Sequence, residues 1–262
     1  LKKEKNTKII YAQHGGGYGI TKTHFNTDYE IEVCDKYLSY GWSNSNKKIL
    51  KFGIIHNLDK KKYIFSNKKK FLTFISNKRH KYSTFINSSA VWSIDFIDTV
   101  KFYSNFLFNL PKNIQENTLI RGLPDTDLKK LDFFGTLIKN FKVDNKADIF
   151  DLYNNSKIII HSINSTSLLE TMYLNIPSII ILDKKIPFSN ISKNIFLDLK
   201  KNNIFFDDPK RASKFIEKIW ENGIHSWWNS NNVQRAVKKF NLTFSKRRIN
   251  VLSDLQKILV NK

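Results

Sequence analysis

Residues 157–170 read KIIIHSINSTSLLE, and the fold is decided there. Lys157–His161 is an isoleucine run without polar alternation, the pattern of a strand buried on both faces. A hydroxyl-rich turn follows, then the helical apolar spacing of Thr166–Leu174. A second all-apolar strand comes next, at Ser178–Leu182 (SIIIL). Two buried strands joined through a helix form the crossover unit of a parallel sheet.

The same alternation continues outward. Upstream lie a strand at Phe71–Ser76 (FLTFIS) and an aromatic-rich amphipathic helix at Val91–Leu110. A strand at Thr118–Leu123, stopped by Pro124, and a short helix at Ala147–Asn154 follow. Downstream, Asp208-Pro209 has the cap-then-proline order of a helix start, and that helix runs to Glu221. The expectation is an α/β fold, a Rossmann-like parallel sheet with helices on both faces. Nearer the start, Lys8–Gln13 (KIIYAQ) reads as a buried strand running into the turn His14–Gly19 (HGGGYG). Tyr29–Trp42 has mixed periodicity and places a short strand near Lys36–Ser39. Residues 58–70 are lysine-rich and have the polarity of a surface connection. They divide the chain into 1–57, 58–70 and 71–262.

Of the 262 residues, 41% are hydrophobic and 14% aromatic, which supplies a core and excludes intrinsic disorder as the main reading. No stretch approaches the roughly 18 to 20 uninterrupted apolar residues of a membrane span. The single cysteine, Cys34, excludes an internal disulfide framework and a cysteine-based zinc site. Only Met172 is methionine and the chain opens on Leu1, so it reads as the later part of a longer protein; no signal-peptide pattern stands at the visible start. The net charge of +21 invites a nucleic-acid reading, but only six basic residues are arginine, and base readout and bidentate phosphate clamping favour arginine. The lysines are either a solvated face or a surface for an anionic partner, a nucleotide or the inner face of a membrane.

Three constellations could carry chemistry. In the first, Gly15, Gly16 and Gly17 allow close backbone approach and an amide nest for an anion, with Tyr18 and Gly19 completing the turn. His14 stands at the carboxyl end of the preceding strand, where ligands bind in open α/β sheets. The plain alternative is a flexible turn with a surface histidine. The spacing matches neither the dinucleotide fingerprint nor a P-loop. The second is Glu30 and Asp35, either of which could serve a group transfer as general base or nucleophile, or could be a solvated surface charge. The third is Ser165, Thr166 and Ser167 at a helix start, where hydroxyls and amides make an anion cradle. Ser167 and Glu170 equally fit the capping box S-x-x-E. Arg121 could clamp a phosphate or sugar carboxylate, or pair with a neighbouring acid. The remaining histidines lack ligand spacing, so no metal site is expected. Trp220, Trp227 and Trp228 are expected to pack a C-terminal helix.

His14–Gly19, with Glu30 and Asp35–Trp42 (DKYLSYGW), resembles the transferases of bacterial O-antigen gene clusters first noted in Leptospira. Ser165–Thr171 (STSLLET), Asn175-Ile176-Pro177, and Trp227-Trp228 near Val233-Gln234 fit the same pattern, so the resemblance covers most of the chain. Tyr40 stands where the family has tryptophan, and Cys34 where serine is usual. The resemblance implies a GT-B-like enzyme of two Rossmann-like domains with the active site in the cleft between them. Residues 1–57 would then be the remnant of the N-terminal cleft region, and 71–262 the nucleotide-sugar-binding domain. It implies that Ser165–Ser167 and Glu170 hold the donor's phosphate and ribose and that Arg121 is an anion clamp. His14, the glycine turn, Glu30 and Asp35 would face the reacting sugar. A more distant likeness to transferases using CMP-activated 3-deoxy-octulosonic acid implies a CMP-activated donor. The implied activity is that of a cytoplasmic glycosyltransferase with peripheral contact to the anionic inner membrane. It would transfer sugar to a glycan or lipid-linked glycan in surface-polysaccharide or lipopolysaccharide synthesis, without metal or cofactor. The alternatives are a polyol-phosphate transferase of the teichoic-acid type and a non-catalytic anion-binding module.

Overall fold

The computed structural model describes residues 7–22, 24–55, 63–64, 66, 69–76, 96–122, 138–144 and 146–260. Much of the expected lysine-rich connection, residues 91–95 of the expected aromatic helix, and Leu123 with Pro124 lie outside these. Two parallel sheets organise the chain. The first is built from β1 (Ile10–Ala12), β2 (Lys36–Ser39) and β3 (Ile49–Lys51), with α1 (Phe25–Val33) between β1 and β2. The second begins with β4 (Phe71–Ile75), α2 (Phe96–Phe108), α3 (Lys112–Glu116), β5 (Thr118–Arg121) and β6 (Lys142–Val143). It continues through α4 (Ile149–Asn155), β7 (Ser156–His161), α5 (Thr166–Tyr173), β8 (Ser178–Ile181), α6 (Asn190–Lys201) and β9 (Phe205–Phe206). Helices α7 (Pro209–Ile219), α8 (Gly223–Trp228), α9 (Asn231–Phe244) and α10 (Val251–Val260) follow. The strand order is β6-β5-β4-β7-β8-β9, and every pairing is parallel.

The isoleucine runs are continuous because both faces of this sheet are covered. Ile158 and Ile160 join Ile179 and Ile181 in one cluster with Phe106, Ile114 and Ile216 of the helices. Ile159 points the other way, to Tyr153 and Ile176, and Ile180 to Leu168 and Phe196. The six isoleucines of β7 and β8 are fully buried, and each such side chain contributes roughly 1.5–3 kcal/mol. The covering helices are capped as their sequences allow. Asp148 accepts from the amides of Phe150 and Asp151, Ser189 from Ser192, and Asp208 from Lys210 and Arg211 with Pro209 in the first turn. Trp220 and Trp228 are buried in the helical layer, as expected. No helix among the described residues is long and apolar enough to cross a membrane.

A second cluster joins the first sheet to the C-terminal helices. Tyr18, Tyr37, Tyr40 and Trp42 pack with Leu168, Met172, Trp228 and Phe240. Helix α1 has no counterpart in the sequence reading. Among its described side chains the buried ones are Thr27, Glu30 and Ile31, spaced as one helical face, but two of these three are polar. An apolar periodicity search therefore passes over it.

His161 ends β7 fully buried, with Nε2 2.8 Å from Thr171 Oγ1. Thr171 donates its own hydroxyl to Leu168 O, so the imidazole is the donor in this pair. Burial lowers its pKa from 6.5 to about 3. The unfolded chain then binds a proton that the folded chain refuses, so stability is full above the unfolded pKa and falls as pH drops from 6.5 towards 3. Denaturant unfolding should show a loss of about 2 kcal/mol from this group between pH 8 and pH 5. A His161→Gln variant, less stable overall, should show a shallower slope over that interval. An unchanged slope would refute the assignment.

Candidate active site

The glycine turn and the hydroxyl-rich turn meet directly. A methyl group on Gly16 would stand 2.2 Å from the carbonyl carbon of Ser165 and 2.4 Å from its oxygen. Only a residue without a side chain allows this approach. One on Gly15 would lie 3.5 Å from Thr166 Oγ1, so Gly15 faces the first residue of α5. Gly17 has φ +87°, in the left-handed region, and packs between Asn164 O and the ring of His24.

Both ends of the glycine turn are tied down. Gln13, which is buried, donates Nε2–H to Gly15 O at 2.8 Å. Its Oε1 accepts from the Tyr40 amide at 2.9 Å and from Trp42 Nε1 at 2.8 Å, binding the turn to the end of β2. On the far side, Ser189 donates its hydroxyl to Gly19 O at 2.6 Å and its amide to Ile20 O at 2.9 Å. Ser192 donates to Ile20 O at 2.6 Å. The turn is held on two sides, not loose as its composition suggests.

His14 and Glu30, from different elements, form a pair, with Nε2 3.0 Å from Glu30 Oε1. The Tyr18 hydroxyl lies 2.6 Å from the same nitrogen and donates to Glu30 Oε1 at 3.4 Å. The Glu30 side chain is only 9% exposed whereas that of His14 is 63% exposed, so the imidazole is the part of the pair that meets solvent. Burial, and then the Glu30 charge, push the phenols of Tyr18 and Tyr37 well above their usual range. Around neutral pH they are uncharged.

At the hydroxyl-rich turn, Ser165 is the N-cap of α5 but makes no side-chain cap bond. Its hydroxyl lies 2.5 Å from that of Ser167 instead. The Leu168 amide bonds Ser165 O at 3.1 Å, and the Thr166 and Ser167 amides are the ones left to meet an anion. The capping-box alternative for Ser167 and Glu170 is not realised. Ser167 lies inside the helix, and Glu170 Oε2 accepts from Tyr153 Oη at 3.0 Å. Burial raises the Glu170 carboxyl. Tyr40, which follows β2, is pushed up to about 12 by burial and then by the Glu170 charge, and it shares a buried cluster with Leu168 of α5.

Two expected site residues are held by other partners. Asp35 Oδ2 accepts from the Ile9 amide at 2.8 Å. In the β1–β2 register that is the amino end of the strands, whereas His14 follows the carboxyl end. Asp35 is therefore not brought to the His14–Glu30 pair. Arg121 ends β5 buried, donates Nη1–H to Asp144 O at 3.2 Å and stands 3.8 Å from Asp144 Oδ1. Of its two alternatives, pairing with a neighbouring acid is the one present. The Asp144 carboxyl is held below its usual range by the Ala147 and Lys146 amides and then by the guanidinium. Gln13, Tyr153 and His24 belong to the site region and were not singled out from sequence. The polar buried position of Gln13 directly before His14 was the one available signal. Among the described residues no group of three or more His, Cys, Asp or Glu could hold a metal ion.

Gly16→Ala tests the contact on which this geometry rests. The added methyl has backbone, not a flexible side-chain tip, in its way, so the turn must lift from α5. Thermal or denaturant unfolding should show a loss of about 1–3 kcal/mol. A variant as stable as the parent would mean that the two turns do not touch in solution.

Residues 1–259 match the family described as LIC12162 family transferase. No curated protein sequence matches. Among solved structures, a glycosyltransferase from Rickettsia africae ESF-5 superposes with a TM-score of 0.52 at 15% identity, over 100% of this chain and 73% of that one. The S. aureus MnaA–UDP co-structure gives 0.51 at 7% identity, over 99% and 70%. The wall teichoic acid polymerase TagF, H548A, gives 0.42 at 14%, over 99% and 71%. The fold is α/β with parallel Rossmann-like sheets and matches part of GT-B glycosyltransferase structures. Matched over nearly its whole length, the chain belongs to the LIC12162 family of transferases.

Proposed function

We propose that the protein is a glycosyltransferase that moves a sugar from a nucleotide-sugar, CMP-activated in the first instance, to a glycan or lipid-linked glycan of a bacterial surface polysaccharide. The observation that carries this reading is the seating of the glycine turn on the start of α5, with Gly16 against Ser165. This seating supports a reading in which an anion cradle lies beside a histidine–carboxylate pair, the two elements a glycosyl transfer needs. The phosphate of the donor rests on the first-turn amides of α5 and the hydroxyls of Ser165, Thr166 and Ser167, with Glu170 on the ribose. Gly15, Gly16, Gly17, Tyr18 and Gly19 close over it.

In the reaction the acceptor oxygen forms a bond to the anomeric carbon as the bond from that carbon to the phosphate oxygen breaks. His14 takes the acceptor's proton, and the bond electrons leave on the phosphate, where preorganised amides meet the growing charge. Glu30 holds the imidazole through Nε2 and stabilises its charged form. Glu30 fits this role better than Asp35 because it is bonded to His14, whereas Asp35 is occupied by the Ile9 amide at the opposite strand end. The lysine-rich surface suits an acceptor held at an anionic membrane.

Calorimetric titration with CMP, CDP, UDP and GDP tests the donor site. One nucleotide should bind selectively, and the Ser165→Ala/Thr166→Ala double variant should weaken it about tenfold or more. Unchanged affinity would remove the cradle. Glu30→Gln should lower kcat about 10²- to 10⁴-fold while leaving the nucleotide Kd within twofold. A phosphodiester in the product would identify a polyol-phosphate transferase instead.

A further inference from the structure

His24 caps α1 in a way that fixes its proton. Its Nδ1 accepts from the Thr27 amide and lies 2.8 Å from Thr27 Oγ1. An amide can only donate, so Nδ1 is the bare nitrogen and the neutral ring carries its proton on Nε2. That nitrogen and Cδ2 form the ring edge lying over Gly17. Both would stand 3.5 Å from a methyl group on that glycine. Gly17 is itself buried, but with φ +87° and no side chain it puts no Cβ between this edge and Asn164 O. Among the described residues nothing accepts from His24 Nε2. The ring also packs against Tyr18, with centroids 4.3 Å apart and planes tilted by 41°.

We infer that His24 is a further phosphate-contacting residue of the proposed donor site, giving its Nε2–H across Gly17 to the anion held at the start of α5. The inference rests on the donor-site reading above. Two observations carry it beyond that reading. The side chain is oriented by a helix cap for which aspartate, asparagine or serine would serve as well or better, so capping alone does not call for histidine. Its free donor also lies beside Asn164, the residue preceding the Ser165 cap. The groups facing the ring are Glu30 and Asp28, which favour its protonation, and His14, which opposes it. Burial outweighs them and lowers the pKa of the imidazole. Around neutral pH the ring is therefore a neutral donor. A bound phosphate beside it favours the charged form.

The test uses His24→Asn, which keeps a capping acceptor for the Thr27 amide but cannot reach across Gly17. The tightest-binding of the four nucleotides and its nucleoside are titrated into parent and variant. The nucleotide should lose about tenfold or more in affinity while the nucleoside and Tm stay within error. Equal losses for both ligands, or no loss for either, overturn the inference. Should the variant fail to fold, NMR titration of the parent decides. The His24 pKa should rise on binding the nucleotide and not the nucleoside, and a pKa that moves with neither refutes the contact. If Ser165→Ala/Thr166→Ala also leaves nucleotide binding intact, the donor-site reading itself has failed. If that variant weakens binding and His24→Asn does not, only the role of His24 falls.

Discussion

The contact of Gly16 with the Ser165 backbone is the constraint around which the site region is arranged. It joins a turn near the start of the chain to a helix in the last half, and it works only if both partners are held in place. Gln13 fixes the turn from the side of β2, and Ser189 and Ser192 fix it from α6. On the other partner, α5 is anchored by Leu168, Leu169 and Met172 in the shared core. A backbone-to-backbone approach leaves no side chain to adjust, so small displacements on either side would separate the turns.

The electrostatics around this contact follow from burial. Glu30 lies among Tyr18 and Tyr37, and Glu170 against Tyr153, with each phenol kept neutral by desolvation and by the carboxylate beside it. Neutral hydroxyls can hydrogen-bond carboxylates without neutralising them. The arrangement supplies directional donors close to the α5 terminus without filling it with fixed positive charge. Lysines described on the helices, such as Lys101, Lys193, Lys214 and Lys238, are exposed.

What could be read in advance differs residue by residue. The isoleucine strands were legible because a sheet covered on both faces needs no alternation, and few other elements tolerate such runs. The Asp208-Pro209 helix start was legible because capping and proline geometry act within three residues. Helix α1 was not legible, since its buried side chains among the described residues, Thr27, Glu30 and Ile31, are mostly polar and hid the period. Ser167 and Glu170 had the spacing of a capping box, but the helix begins two residues earlier than that motif requires and Tyr153 takes the carboxylate.

By itself the sequence determined the local elements and the chemistry they could bear: buried parallel strands, a glycine turn open to close approach, and hydroxyls at a helix start. Tertiary structure decided which of these meet. It gave His14 the carboxylate of Glu30, assigned Asp35 to the Ile9 amide, and turned Arg121 to Asp144. It also laid His24 over Gly17. The physical reason is range. Strand, cap and turn preferences arise between residues a few positions apart, whereas these pairings depend on sheet register and helix packing, which bring together side chains that no short motif connects.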